Sequence, residues 1–142
     1  RSRLVARSRR TLSPKAQHLA VAADAIAIGT DVNVDVAVSV EVLDEPPADD
    51  AADFDYVVEA GIRGSSGRLV VMGCTDFEPD ARRSSAAAGG LRVRVSQSNF
   101  DRACRAGVDS AEDPLTMERL RLQVWPAALS SVVVVKRWRS PE

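Results

Sequence analysis

Residues 32–55 read VNVDVAVSVEVLDEPPADDAADFD. Val32, Val34, Val36, Val38, Val40 and Val42 share one parity, and Asn33, Asp35, Ala37, Ser39 and Glu41 share the other. Successive side chains of a strand point to opposite faces, so this run predicts a β-strand with one apolar face. β-branched valine suits such a half-buried pleated surface. Pro46 and Pro47 then end the ladder, because proline has no amide hydrogen to give it. A loop follows that carries Asp44, Glu45, Asp49, Asp50, Asp53 and Asp55 within twelve residues.

The same period of two recurs on both sides of this stretch. LAVAADAIAIGT (19–30) reads as a strand pair or a bent strand ending at Gly29. YVVEAGI (56–62) and RLVVMG (68–73) flank the turn RGSSG and read as a hairpin. LRVRVS (91–96) points Leu91, Val93 and Val95 inward and Arg92 and Arg94 outward. ERLRLQVW (118–125) places Leu120, Leu122 and Val124 on one face, with Arg119, Arg121 and Gln123 on the other. VVVVKRW (132–138) lacks alternation, which fits a strand buried on both faces. Residues 97–117 form a long polar connection with room for one or two helical turns at NFDRACRAG. Seven to eight short strands punctuated by Gly and Pro predict an all-β chain folded as an antiparallel β-sandwich.

The 142 residues fit one domain, expected over residues 18–142. Residues 1–17 are set apart as a flexible basic leader, since residues 1–18 hold five Arg and one Lys with no acid. Residues 19–62 reverse this, with eleven Asp and Glu and no Lys or Arg. The net charge of −1 therefore conceals two segregated fields. A one-sign surface of this kind steers association over about 10 Å at 0.1 M salt. No apolar run reaches the ~20 residues that span a bilayer, and no membrane association is expected. Cytoplasmic residence is the matching expectation, with Cys74 and Cys104 reduced.

Residue chemistry argues against catalysis. His18 is the one imidazole, at the edge of the basic leader, and general acid–base work at neutral pH needs a poised group. The serine pairs have the neighbours of turns and lack a nucleophile elbow. Asp76, Glu78 and Asp80 alternate as calcium ligands do, but Pro79 intervenes and no twelfth-position Glu follows. No metal or other cofactor is expected. Arg92, Arg94, Arg119 and Arg121 would form a basic stripe if their strands pair. Without a stacking platform of aromatics, nucleic acid is not the expected partner. A solvated face, or pairing with Asp35 and Glu41, is the expectation instead.

The acidic loop has two readings: a charged edge that keeps strands from aggregating, or a docking surface for a basic partner such as a nuclease. The blocks HLAVAADAIAIGTDVNVDVAVSVEVLD, DFDYVVEAGI, SGRLVVMGCTD, GGLRVRVSQSNFD and ERLRLQVWPA follow one another in an order similar to the competence protein J family, the DNA-entry nuclease inhibitors. The resemblance spans most of residues 18–127. It departs at Phe54, where relatives carry Trp, and at AAAGGLRVRV, which lacks a Pro before the Gly pair. It implies a small β protein that inhibits by binding, and it brings no catalytic residue. The expected function is thus a non-catalytic protein-binding module, an inhibitor or immunity-type partner of a nuclease or other basic protein. Asp44, Glu45, Asp49, Asp50, Asp53 and Asp55 form its contact surface. The alternative is a small-molecule or carbohydrate-binding sandwich, with Asp76, Phe77, Glu78 and Trp125 at the site. An exposed strand edge or the VVVV tail would also allow a homodimer.

Overall fold

The alternating run does pair as a strand, but only from Ala37 onward. At the start of that run the chain is held differently. The amides of Asp31 and Val32 donate to the buried carboxylate of Glu118, at 2.9 Å and 3.2 Å to Oε2. Backbone donors taken by a side chain are lost to a ladder, so the strand begins later than the valine pattern does.

The computed structural model describes residues 2–8, 19–32, 34–64, 67–73 and 82–139. Ten strands form in them: β1 (Ser2–Ser8), β2 (Leu19–Val21), β3 (Ala25–Thr30), β4 (Ala37–Val42), β5 (Tyr56–Gly64), β6 (Arg68–Gly73), β7 (Arg82–Ser85), β8 (Gly89–Ser98), β9 (Arg119–Pro126) and β10 (Val133–Lys136). One α-helix, α1 (Phe100–Ala106), and the 3-10 helix Gly107–Glu112 fill the connection between β8 and β9. The first sheet has the order β2-β3-β1-β6-β7 and the second β10-β5-β8-β9-β4.

The chain is therefore mostly β, as the period-two runs predict, but its sheets are mixed. β1 runs parallel to both β3 and β6, and β4 runs parallel to β9, while the remaining pairs are antiparallel. The expectation of purely antiparallel pairing is corrected on this point. Alternation reports which face is apolar and is blind to strand direction. The hairpin expected around RGSSG is also absent. β5 pairs with β8 and β10 in the second sheet, and β6 pairs with β1 and β7 in the first. Ser2–Ser8 lie at the centre of the first sheet, although the sequence reading set residues 1–17 apart. β10 is an edge strand with Val133 and Val135 exposed, and only its other face meets the core. The doubly buried strand expected there is corrected accordingly.

One apolar cluster joins the two sheets. Ile26, Ile28 and Leu69 come from the first, and Val58, Ala60, Ile62, Val93, Val95, Leu120, Leu122 and Val124 from the second. Each such side chain contributes roughly 1.5–3 kcal/mol on full burial. Val38 and Val40 of β4 pack against this cluster from the sheet edge. The Gly89-Gly90 pair has two distinct causes. Gly89 sits at φ +104°, where a side chain is strained. At Gly90 a Cβ would come within 2.3 Å of the Ala127 carbonyl oxygen, because β8 and the end of β9 approach that closely.

Candidate functional site

The acidic loop leaves β4 in register. Leu43 N–H donates to Val124 O at 2.8 Å, extending the β4–β9 ladder by one bond. After the two prolines the loop turns back across the outer face of the second sheet, the face away from the core. That face carries Arg121 and Gln123 of β9, Arg92 and Arg94 of β8, and Glu59 of β5.

Several contacts hold the loop down. The Asp50 carboxylate accepts two bonds from the Arg121 guanidinium, at 2.7 Å and 2.8 Å. The same guanidinium lies 4.4 Å from the centroid of the Phe54 ring, within cation–π range. Arg94 donates to Ala48 O at 2.9 Å. Lys136 Nζ of β10 donates to Phe54 O from the opposite side of the loop. Asp49 Oδ1 accepts from Ala51 N–H at 3.0 Å and so opens the short 3-10 turn Ala51–Asp53. Asp55 is turned inward, where Oδ2 accepts the Phe100 amide at the start of α1. The Arg121 hydrogen bonds hold the Asp50 carboxyl below its ordinary value, against the opposing effect of burial. Asp50 in turn raises Arg121.

A second charged layer lies beside the loop. Glu59 bridges Arg92 Nε at 3.3 Å and Arg94 Nε at 2.9 Å. Arg92 also donates to Ser130 Oγ and Ser131 O, and Arg94 sits 5.7 Å from the Trp125 ring centroid. Gln123 Nε2 donates to Glu41 at 2.8 Å. Arg92, Arg94 and Arg121 are thus covered rather than solvated, Arg119 is exposed as a solvated face would have it, and none of the four forms an ion pair with Asp35 or Glu41 among the described residues. Asp35 is exposed, and the counter-charges are Asp50 and Glu59. Asp50 lies 71 positions before Arg121, a distance that no local pattern encodes.

The six carboxylates named from sequence therefore divide. Asp44, Glu45, Asp49 and Asp53 are exposed, while Asp50 and Asp55 are partly buried and hold the loop to the body. Glu59, Phe54 and Lys136 belong to the same constellation, and sequence reasoning passed over them. Glu59 stands at the polar parity of a strand that was otherwise read correctly, and that was the available signal.

Of the residues named for the alternative ligand site, only Trp125 lies among the described residues. Asp76, Phe77 and Glu78 lie outside them, as do Cys74 and His18. Trp125 is 4 % exposed and packs against Arg94. It borders an open pocket of about 220 Å³ with Val42, Asp44, Ala86, Leu91 and Pro126. Small-molecule sites run to roughly 300–1,000 Å³. The 97–117 connection is filled by α1, with Phe100 fully buried edge-on against Trp138 at 5.5 Å. Asn99, at φ +67°, ties its far end by donating to Leu115 O and Met117 O. Among the described residues no three His, Cys, Asp or Glu side chains converge as metal ligands, and no helix is long and apolar enough to cross a membrane. No protein-family model matches the chain, and neither a curated protein nor a solved structure does.

Proposed function

We propose that the chain is a non-catalytic β-sandwich binding module whose acidic loop docks a basic protein. A nuclease is the partner that its chemistry suits best, in the manner of a cytoplasmic inhibitor or immunity protein. The observation that carries this reading is the division of labour in the loop. Asp50 and Phe54 are held against Arg121, which leaves Asp44, Glu45, Asp49 and Asp53 on a loop fixed from below. Ordering a flexible loop on binding costs affinity, and a loop already ordered avoids much of that cost. Four clustered carboxylates also complement a cleft built for phosphates, and such complementarity acts chiefly on the association rate. The choice of a nuclease among basic proteins rests on the resemblance in the order of sequence blocks to the competence protein J family.

The test reverses exposed charges that make none of the contacts holding the loop. Asp44→Lys with Glu45→Lys leaves the Asp50–Arg121 pair and the Asp49 turn in place. Association with purified basic nucleases is followed by stopped-flow at 50 and 200 mM salt, alongside inhibition of DNA cleavage. The expected result is an association rate lowered about tenfold at low salt, with a smaller difference at high salt. An unchanged rate against a nuclease that the wild-type chain inhibits would exclude the loop as the docking surface.

A further inference from the structure

The loop's own seat is the second candidate surface of the molecule. Beneath it, Arg94, Arg121 and Lys136 reach the loop. Arg92 lies beside them under Ser130 and Ser131, and Arg119 is exposed at the start of β9. These cations outnumber the carboxylates Glu41 and Glu59 that share their face or border it. Without the loop, this face of β8 and β9 is a basic strip beside Trp125. One arginine there stacks on a ring of the sheet itself, Arg94 on Trp125, whereas the Phe54 ring under Arg121 belongs to the loop and leaves with it. An arginine stacked on a ring is one of the ingredients with which proteins hold single-stranded nucleic acid. Asp50 occupies Arg121 as a phosphate would, with two oxygens on two guanidinium nitrogens.

The fit of the carboxylate is incomplete. Arg121 Nε is buried and has no hydrogen-bond partner among the described residues, and Gln123 Oε1 beside it is in the same condition. A carboxylate has two oxygens to offer, and both are engaged. A phosphodiester group with its own acceptor oxygens, or a base edge against Gln123, would meet donors and acceptors that the loop leaves unmet.

We propose that the outer face of β8 and β9 binds the phosphodiester backbone of single-stranded nucleic acid, and that the acidic loop is an internal competitor strapped over it. Displacing Asp50 from Arg121 opens the strap. The surface is distinct from the exposed carboxylates of the preceding section, and each claim stands or falls without the other.

The experiment uses the full chain with Asp50→Ala, and Asp50→Asn as a variant of nearly unchanged shape. Hydrogen exchange at the Asp53 and Phe54 amides, which donate to Asp50 O and Ala51 O, reports whether the strap has lifted. Fluorescence anisotropy with a labelled twenty-nucleotide oligothymidine, titrated at 50 and 200 mM salt, reports binding. The expected result is faster exchange at both amides and oligonucleotide binding at least tenfold tighter than wild type. With three cations engaged, log K should fall with log salt at a slope of about −2. Adding Arg94→Gln should remove the gain. Unaltered exchange overturns the latch, and faster exchange without tighter oligonucleotide binding overturns the site. Binding of heparin alone, with oligothymidine ignored, also overturns it.

Discussion

The two faces of the β5-β8-β9 ribbon are both largely closed to solvent, by opposite means. On the inner face Val58, Val93, Val95, Leu122 and Val124 pack against the other sheet and are entirely buried. On the outer face Arg92 and Gln123 are almost as deeply buried: Arg92 meets the Glu59 carboxylate and the Ser130 and Ser131 carbonyls, and Gln123 Nε2 meets Glu41 of β4. The inner face is held by apolar area, which is non-directional and tolerant of detail. The outer face is held by paired charges, which are stable only while every partner is present. A strand of strict alternation can therefore carry two interfaces rather than one interface and one wet surface.

Truncation on the inner face should cost most. Leu122→Ala removes a fully buried side chain between the sheets and is expected to destabilise by about 3 kcal/mol in urea unfolding. Its outer-face counterpart is Glu59→Ala, which strands Arg92 and Arg94 with side chains only 9 % and 12 % exposed. Loss of a shared partner in such a site costs about 3 kcal/mol when burial is complete. The partial exposure here lowers the expectation to about 2 kcal/mol. A Glu59→Ala loss below about 0.5 kcal/mol would mean that the outer face is wet after all.

Asp50→Asn should cost less, about 1 kcal/mol, because Asp50 is 35 % exposed and the solvent screens it. Its acid dependence has a definite sign. The folded-state value of Asp50 lies below the ordinary 3.8. Its contribution is therefore complete above that ordinary value and disappears as the pH falls through the lowered one. Wild type and Asp50→Asn should differ by a constant amount from pH 5 upward and converge in strong acid. A gap that widened on acidification would contradict the Arg121 pairing. The smallest effect belongs to Asp44→Lys with Glu45→Lys, where the unfolding free energy should move by no more than about 0.5 kcal/mol while association with a basic partner slows.

Legibility followed the range of the interactions involved. The inward residues of β8 and β9 were readable because alternation is local, and the outward arginines were placed on the correct face for the same reason. Pairing was not readable. The β5 and β6 runs look like hairpin partners across RGSSG, yet each sheet needs an apolar face and either sheet will accept either strand. β1 was hidden by its arginines, since SRLVARS has only a three-residue apolar centre. The outer face was misjudged because Asp50 and Arg121, or Glu41 and Gln123, meet across most of the chain. Nothing within a window of ten residues distinguishes a carboxylate waiting for such a partner from one meant for water.

The β4–β9 pairing bears on how the polypeptide is made. Glu41 and Gln123 lie opposite one another but 82 positions apart. At a synthesis speed of 5–20 residues per second, β4 emerges roughly 4–16 s before its neighbour exists. During that interval a valine-rich ribbon has no mate, and unpaired ribbons of that kind invite aggregation. The carboxylates that directly follow it in the nascent chain would repel like-charged copies on neighbouring ribosomes, so the same acids protect the molecule before it has folded.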